Sequence, residues 1–111
     1  MKTLHLTLKK KWFDMIASGE KTEEYREVKP YWIQRLCDPY PGNIGGDFMD
    51  SHSVTAYLFK KFDSVIFRNG YSKNAPVMSF KVREISHTYG FSDWGAEHHV
   101  KYFVIKLGEK L

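Results

Sequence analysis

The sequence contains a single cysteine, Cys37, and no long uninterrupted run of apolar residues. One cysteine excludes a disulfide within the chain and a zinc site built from several thiolates. Charged residues interrupt every apolar stretch within a few positions, so we expect no transmembrane segment and no membrane partner. No apolar segment follows Met1 and Lys2, so we also expect no secretory signal. These absences predict a soluble, cytoplasmic protein.

Residues that bind metals are also scarce. The five histidines are spread along the chain apart from the neighbours His98 and His99, and no HExxH or paired Cys/His pattern occurs. Two adjacent side chains point in different directions on a regular element, so this pair is a poor metal site. Cys37 precedes Asp38 rather than a histidine, which favours an inert, buried thiol over a nucleophile. We therefore expect neither a metal ion nor a cofactor.

Aromatic and basic residues are the chain's most distinctive feature. Phe, Trp and Tyr make up 16% of the 111 residues, and 17 Lys and Arg against 13 Asp and Glu give a formal net charge of +4. A chain of this length forms one domain, residues 1–111, whose core is too small to enclose every ring. Exposed rings beside cations suit flat, anionic ligands such as nucleotides, although aromatic residues also favour strands.

The hydrophobic pattern predicts an α+β domain, a small mixed β-barrel of about five strands with two or three short helices. Alternating apolar residues predict strands, and apolar residues four apart predict helices. Gly19 suits the end of the first helix because glycine adopts a left-handed cap at little cost. The last strand is apolar on both faces, which is typical of a closed or covered sheet. The predicted strands cover residues 3–8, 22–27, 64–67, 77–85 and 101–107, the helices 9–18, 30–36 and 53–62, and a long loop 39–46.

The segment from Gly19 to Arg26 carries the candidate chemistry. Glu24 and Arg26 are two apart on a predicted strand, so they share a face, and Lys21 at its start can reach either face. Arginine holds a phosphate through two parallel hydrogen bonds, and lysine supplies a compact positive charge. The carboxylate can orient both cations or accept hydrogen bonds from a base edge. An exposed row of salt bridges on a surface strand is the structural alternative.

The pattern Gly19-x-Lys21-x-x-Glu24-x-Arg26 resembles the GxKxxExR signature of the ASCH domain family, within the PUA-like superfamily. The strand and helix before it, and the strand 102–107 near the end of the sequence, match the order of elements in that family. The segment 94–97 is also similar to small phage and bacterial members. The resemblance implies a PUA-like β-barrel that binds RNA or a modified nucleotide in a basic, aromatic cleft beside the signature strand.

The same resemblance leaves an enzymatic alternative open. One ASCH branch removes the acetyl group from N4-acetylcytidine with a lysine, a threonine three residues later and a downstream glutamate. Lys21 matches the lysine, Glu24 stands in place of the threonine, and Glu97 is the nearest candidate for the glutamate. A small hydrolase of this kind, an amidohydrolase or a ribonuclease, would use Lys21 and Glu24 as catalytic residues. A protein-interaction module with a ring-rich surface is the third alternative.

Two further segments are candidates for ligand contact. In the loop 69–74, Tyr71 offers a ring for stacking, and Ser72 and Lys73 offer polar groups, although the loop also fits a simple hairpin turn. The segment 9–12 places cations at a helix start, where they oppose the helix dipole, with a tryptophan facing either the cleft or the core. The full predicted binding set for RNA or a nucleotide-like ligand is Lys9, Trp12, Lys21, Glu24, Arg26, Tyr71, Ser72 and Lys73.

Overall fold

The computed structural model describes residues 1–38 and 57–111, which form an α+β fold. The predicted loop 39–46 and the first four residues of the predicted helix 53–62 lie outside the described residues. The helices are α1 (Lys10–Ala17), α2 (Pro30–Leu36) and a short 3-10 helix (Ser92–Trp94). The strands are β1 (Thr3–Leu8), β2 (Glu23–Glu27), β3 (Cys37–Asp38), β4 (Leu58–Phe59), β5 (Ser64–Asn69), β6 (Val77–Tyr89) and β7 (Lys101–Lys110).

Five of these strands form one mixed sheet in the order β1-β5-β6-β7-β2. β1 and β5 are parallel, with Leu8 opposite Asn69, and β5 and β6 are antiparallel. β3 and β4 form a separate antiparallel pair, in which Cys37 lies opposite Phe59. The predicted α+β class, with two short α-helices and a mixed sheet of five strands, is confirmed. Among residues 1–38 and 57–111, no helix is long and apolar enough to cross a membrane.

The helix predicted over 53–62 is wrong for the part that the structure describes. Leu58–Phe59 form β4, and the backbone N–H of Lys60 donates to the carbonyl of Leu36 at 2.8 Å. The rings of Tyr57 and Phe59 lie 5.1 and 5.7 Å from that of Phe103. Side chains two positions apart reach the same neighbour only in extended chain. Aromatic packing therefore overrides the helical spacing of this segment.

The strands β6 and β7 extend beyond their predicted ends. Polar and charged residues dominate the added parts, so apolar alternation alone does not reveal them. Lys81 Nζ lies 2.8 Å from Glu109 Oε1, and Lys106 Nζ lies 3.5 Å from Glu84 Oε2. Opposite charges facing each other across neighbouring strands stabilise their pairing. The pair between Lys81 and Glu109 thus supports the added end of β7, where the hydrophobic pattern gives no signal.

The packing divides the chain into two compact units. Unit 1 comprises Met1–Glu24, Lys61–Ile85 and Ile105–Leu111, and unit 2 comprises Tyr25–Lys60 and Ser86–Val104. In unit 1, the alternation of β1 buries its leucines and leaves His5 exposed, as the period-two pattern predicts. The core of unit 1 consists of Leu4, Leu6, Leu8, Phe13, Ile16, Val65, Phe67, Met78, Phe80 and Ile105.

Unit 2 has its own core, built around aromatic rings. Pro30 begins α2, where its fixed φ suits the first helical position, and the helix buries Ile33 and Leu36. Tyr25, Ala96, Tyr102 and Val104 form a second buried cluster against which Trp94 packs. This cluster matters for function because it supports the walls of the cavity described below.

Candidate functional site

Two of the signature residues form a buried ion pair in unit 1. Lys21 Nζ donates to Glu24 Oε1 at 2.8 Å, and the two residues are only 2% and 3% exposed. Gly19 follows α1 with a φ of +86°, which confirms the predicted left-handed end of the helix. The next backbone contact runs from the N–H of Lys21 to the carbonyl of Met15, at 3.0 Å. This tight connection places the lysine inside the unit, directly before β2.

Trp12 of α1 covers the ammonium group of Lys21. The Nζ atom lies 4.4 Å from the centre of the indole ring, within the range of cation–π attraction. The ammonium of Lys11 also lies near this ring, at 4.7 Å. A buried charge is stable only when it is paired and hydrogen-bonded, and here the carboxylate of Glu24 and the ring face supply that environment. The structure thus brings three predicted site residues, Trp12, Lys21 and Glu24, into one enclosed cluster.

The third signature residue, Arg26, lines an open cavity of unit 2. The cavity has a volume of about 550 Å³, within the roughly 300–1,000 Å³ typical of sites for small organic ligands. Its walls are formed by β2 and the residue that follows it, by Trp32 of α2, and by residues between Gly95 and Tyr102. The guanidinium Cζ of Arg26 lies 5.0 Å from the centre of the Trp32 ring. Cation and indole therefore lie together at a surface that a ligand can reach.

The cavity lining is mixed in charge and rich in rings. Arg26 and Lys101 contribute positive charge, and Glu27 and Glu97 contribute negative charge. Tyr25, Trp32 and Tyr102 contribute aromatic surface. A lining of this kind can hold an anionic group, accept hydrogen bonds from amino groups, and contact a flat ring within one volume.

Two tyrosine hydroxyls hold one wall of the cavity in place. The hydroxyl of Tyr25 accepts a hydrogen bond from the N–H of Phe91 at 2.9 Å, and that of Tyr102 accepts one from the N–H of Glu97 at 3.0 Å. Gly90 lies so close to Tyr25 that a Cβ there would be 2.5 Å from the ring. The segment between β6 and β7 is therefore attached to the aromatic core at several points, so the cavity wall is preformed.

The remaining predicted residues lie together in unit 1, at the ends of the parallel strands β1 and β5. Gly70 N–H donates to the carbonyl of Leu8 at 3.0 Å, which places the loop after β5 beside the start of α1. Tyr71 is 90% exposed, and Lys9, Ser72 and Lys73 are exposed as well. The structure therefore brings the predicted loop residues and Lys9 to the same end of the strands β1 and β5.

Sequence reasoning missed several residues of the cavity. Trp32 lies in the helix that the sequence predicts from Pro30, so its element was predicted, but no local signal places its ring beside Arg26. Lys101 and Tyr102 begin β7, which is a neighbour of β2 in the sheet. Because single-sequence patterns do not reveal which strands pair, nothing in the sequence connects these two residues with Arg26.

Burial shifts the pKa values of two groups in unit 2. It raises the pKa of the Cys37 thiol to about 12, an effect that nearby Lys60 partly opposes. This protonated, buried thiol is the inert cysteine that the sequence predicts. Burial against the rings of Tyr57 and Phe103 lowers the pKa of His87, and the positive charge of Lys101 adds to the effect.

Comparisons with protein-family models, with curated proteins and with solved structures found no match to this chain. In the part of the chain that the structure describes, no group of three or more His, Cys, Asp and Glu side chains is arranged to hold a metal ion. A functional proposal therefore depends on the geometry and chemistry of the chain's own residues.

Proposed function

We propose that this chain is a PUA-like domain of the ASCH type that binds RNA or a nucleotide-like ligand in the cavity of unit 2. The observation that carries the proposal is the contact of Arg26 with Trp32 on the wall of an open cavity of about 550 Å³. The GxKxxExR pattern from Gly19 to Arg26 supports the family assignment, and a mixed sheet of five strands is compatible with a barrel-like fold.

Each part of a nucleotide has a suitable partner in the cavity. The guanidinium of Arg26 suits phosphate, with Lys101 as a second positive charge. The indole of Trp32 suits the face of a base, since stacking on aromatic side chains accepts any base. Glu97 can accept a hydrogen bond from an exocyclic amino group, as a carboxylate does from cytosine. Because the lining carries acids as well as cations, we expect ligand affinity to depend only moderately on salt.

Lys21 and Glu24 support this function as positioning residues. Their buried ion pair holds the chain at the start of β2, and Arg26 follows two residues later on the same strand. The N–H of Leu107 also donates to the carbonyl of Thr22, at 3.1 Å. These contacts, all within unit 1, restrict where β2 begins.

Measuring the affinity of ribonucleoside monophosphates by titration calorimetry tests the proposal. We expect Arg26→Ala to weaken binding at least about tenfold, the loss of one charge-assisted hydrogen bond. Arg26→Lys should recover only part of it, because lysine lacks the planar fork. The matched control is Lys110→Ala, which removes one exposed charge in unit 1. Absence of nucleotide binding by the unmodified protein, or equal losses in the Arg26→Ala and Lys110→Ala variants, would overturn the proposal.

One observation favours the hydrolase alternative. Glu97, the candidate for the downstream glutamate of the deacetylating branch, lines the same cavity as Arg26. Incubation with N4-acetylcytidine followed by chromatography separates the two functions. Release of acetate that disappears in Glu97→Gln assigns a hydrolase, whereas recovery of the intact nucleoside leaves a binding domain.

A further inference from the structure

The edge of unit 1 where β1 and β5 end carries a group of cations from two separate segments. One segment consists of Lys9, which precedes α1, and of Lys10 and Lys11 in its first turn. The other contains Arg68 near the end of β5 and Lys73 in the loop that follows. The two segments are joined by the hydrogen bond from Gly70 N–H to the carbonyl of Leu8. They therefore form one surface, named here the lysine edge and defined by Lys9, Lys10, Lys11, Arg68, Tyr71 and Lys73.

Several of these cations already have partners within the fold. Lys10 Nζ lies 2.5 Å from Asp14 Oδ2, and the ammonium of Lys11 lies over Trp12. Arg68 donates to the carbonyls of Ser72 and Lys73, so its guanidinium holds the loop in shape. Within the described residues, Lys9 and Lys73 make no ion pair, and both are exposed. Within the part of the lysine edge that the structure describes, these two ammonium groups are therefore available to an external anion.

The loop also presents an aromatic ring directly to solvent. Tyr71 is 90% exposed. It follows Gly70, which has a φ of +81°, and precedes the two residues, Ser72 and Lys73, whose carbonyls accept hydrogen bonds from Arg68. A further hydrogen bond from Ala75 N–H to the carbonyl of Ser72, at 3.0 Å, closes the turn. A ring on a loop fixed at both sides loses little conformational entropy when it stacks on a flat partner.

From this arrangement we propose that the lysine edge binds the sugar–phosphate backbone of single-stranded RNA, with Tyr71 stacked on an unpaired base. Lys9 and Lys73 neutralise phosphates, and the ring accepts a base whatever its identity. A duplex does not offer its base faces to such a ring, which favours the single strand. This inference rests on the proposed function for RNA as the class of ligand, and it adds a second contact surface, which the experiments below test separately from the cavity.

Binding of a fluorescently labelled 12-nucleotide single-stranded RNA to the full chain tests the lysine edge. The variant Lys9→Ala/Lys73→Ala should weaken binding at least about tenfold at low salt and reduce the slope of log K against log salt by about 1.4, since each phosphate contact on a single strand contributes about 0.7. The matched control, Lys61→Ala/Lys110→Ala, removes two exposed charges from the same unit and should change affinity less than about twofold. Equal losses in the two double variants would overturn the proposal.

Tyr71 supplies an independent readout. Tyr71→Ala should lower the affinity for the 12-nucleotide RNA by about five- to a hundredfold, the effect of losing one stacked base. Tyr71→Phe should retain most of the affinity, because it keeps the ring. A duplex of the same sequence should bind more weakly than the single strand and be insensitive to Tyr71→Ala. Loss of affinity in Tyr71→Phe equal to that in Tyr71→Ala would contradict stacking, as would equal sensitivity of the duplex.

Uridine monophosphate, measured in parallel, separates this inference from the proposed function. Its binding should fall in Arg26→Ala and stay within about twofold in the Lys9→Ala/Lys73→Ala variant, because neither lysine lines the cavity. If the protein binds the monophosphate but Lys9→Ala/Lys73→Ala leaves RNA affinity unchanged, the lysine-edge proposal is overturned and the cavity proposal stays intact. RNA binding that depends on Lys9 and Lys73 but not on Arg26 supports the lysine edge and removes the cavity proposal.

Discussion

Both cations of the signature lie against a tryptophan, but in opposite environments. In unit 1, Lys21 Nζ lies 4.4 Å from the ring centre of Trp12, and the lysine is 2% exposed. In unit 2, Arg26 Cζ lies 5.0 Å from the ring centre of Trp32, and both residues are partly exposed on a cavity wall. A cation beside an indole ring is thus enclosed in unit 1 and open to solvent in unit 2.

The difference shows how burial separates structural from ligand-binding roles. An enclosed ammonium requires a carboxylate partner, and Glu24 supplies it at 2.8 Å, so this cation stabilises the fold only as part of a complete pair. A partly exposed guanidinium on a cavity wall can be reached by a ligand, and its N–H groups suit phosphate oxygens. The proposed function accordingly places ligand contact at Arg26 and gives Lys21 a structural role in its buried pair.

The largest expected effect comes from breaking the enclosed pair. Glu24→Ala leaves the buried ammonium of Lys21 without its carboxylate, which should lower the free energy of unfolding by about 3–5 kcal/mol in urea denaturation. The double variant Lys21→Met/Glu24→Leu should recover most of this loss, because the interior then holds no charge. Asp14→Ala is the control, since it breaks the exposed pair with Lys10 and should cost only about 0.3–0.5 kcal/mol. Similar losses in Glu24→Ala and Asp14→Ala would show that the two pairs are equivalent.

The second-largest effect concerns the hydrogen bond that attaches the cavity wall of unit 2 to Tyr25. Tyr25→Phe removes the hydroxyl that accepts the Phe91 N–H and should lower the free energy of unfolding by about 1–3 kcal/mol, the cost of an unsatisfied donor. Tyr31→Phe is the matched control, because Tyr31 is 56% exposed and its hydroxyl accepts only a long 3.4 Å bond from Arg35. Urea denaturation measures both. An unchanged stability in Tyr25→Phe would mean that water replaces the hydroxyl and the wall is not rigidly attached.

A smaller effect on folding is expected for Arg26 itself. Arg26→Ala removes one partly exposed cation–π contact, which should lower the free energy of unfolding by about 0.5–1 kcal/mol while nucleotide affinity falls about tenfold or more. Denaturation and calorimetry on the same preparation give the two numbers. A stability loss as large as that of Glu24→Ala would break the distinction between the open and the enclosed cation.

The last effect tests whether the interior of unit 2 rejects an unpaired charge. The pKa of His87 lies below its ordinary value of 6.5, so the folded state disfavours the protonated ring. Between the folded and unfolded pKa values the unfolded chain binds more protons, and stability should decrease as the pH falls below about 6.5. Comparing urea midpoints at pH 7.5 and pH 5 for the natural chain and for His87→Gln isolates this residue. Identical pH dependence in both would contradict the shift.

Local patterns of the sequence predicted the elements but not the cavity. The alternating leucines of β1, the glycine at position 19 and the proline that begins α2 each act through their own backbone or nearest neighbours, so the elements around them were predicted correctly. Helical spacing predicts a helix over residues 53–62, but the described residues Leu58–Phe59 form a strand. Contact with Phe103, far along the chain, decides between them.

The sequence alone determined that a lysine, a glutamate and an arginine follow a glycine-terminated helix at fixed spacing, because that depends only on bonded neighbours and on the φ angle of Gly19. Only the tertiary structure decided that Lys21 is enclosed and Arg26 lines a cavity. Burial depends on which elements pack around each cation, and Trp12 lies in α1, Trp32 in α2 and the cavity residue Tyr102 in β7. Similar charges therefore acquire different roles through packing that no local pattern encodes.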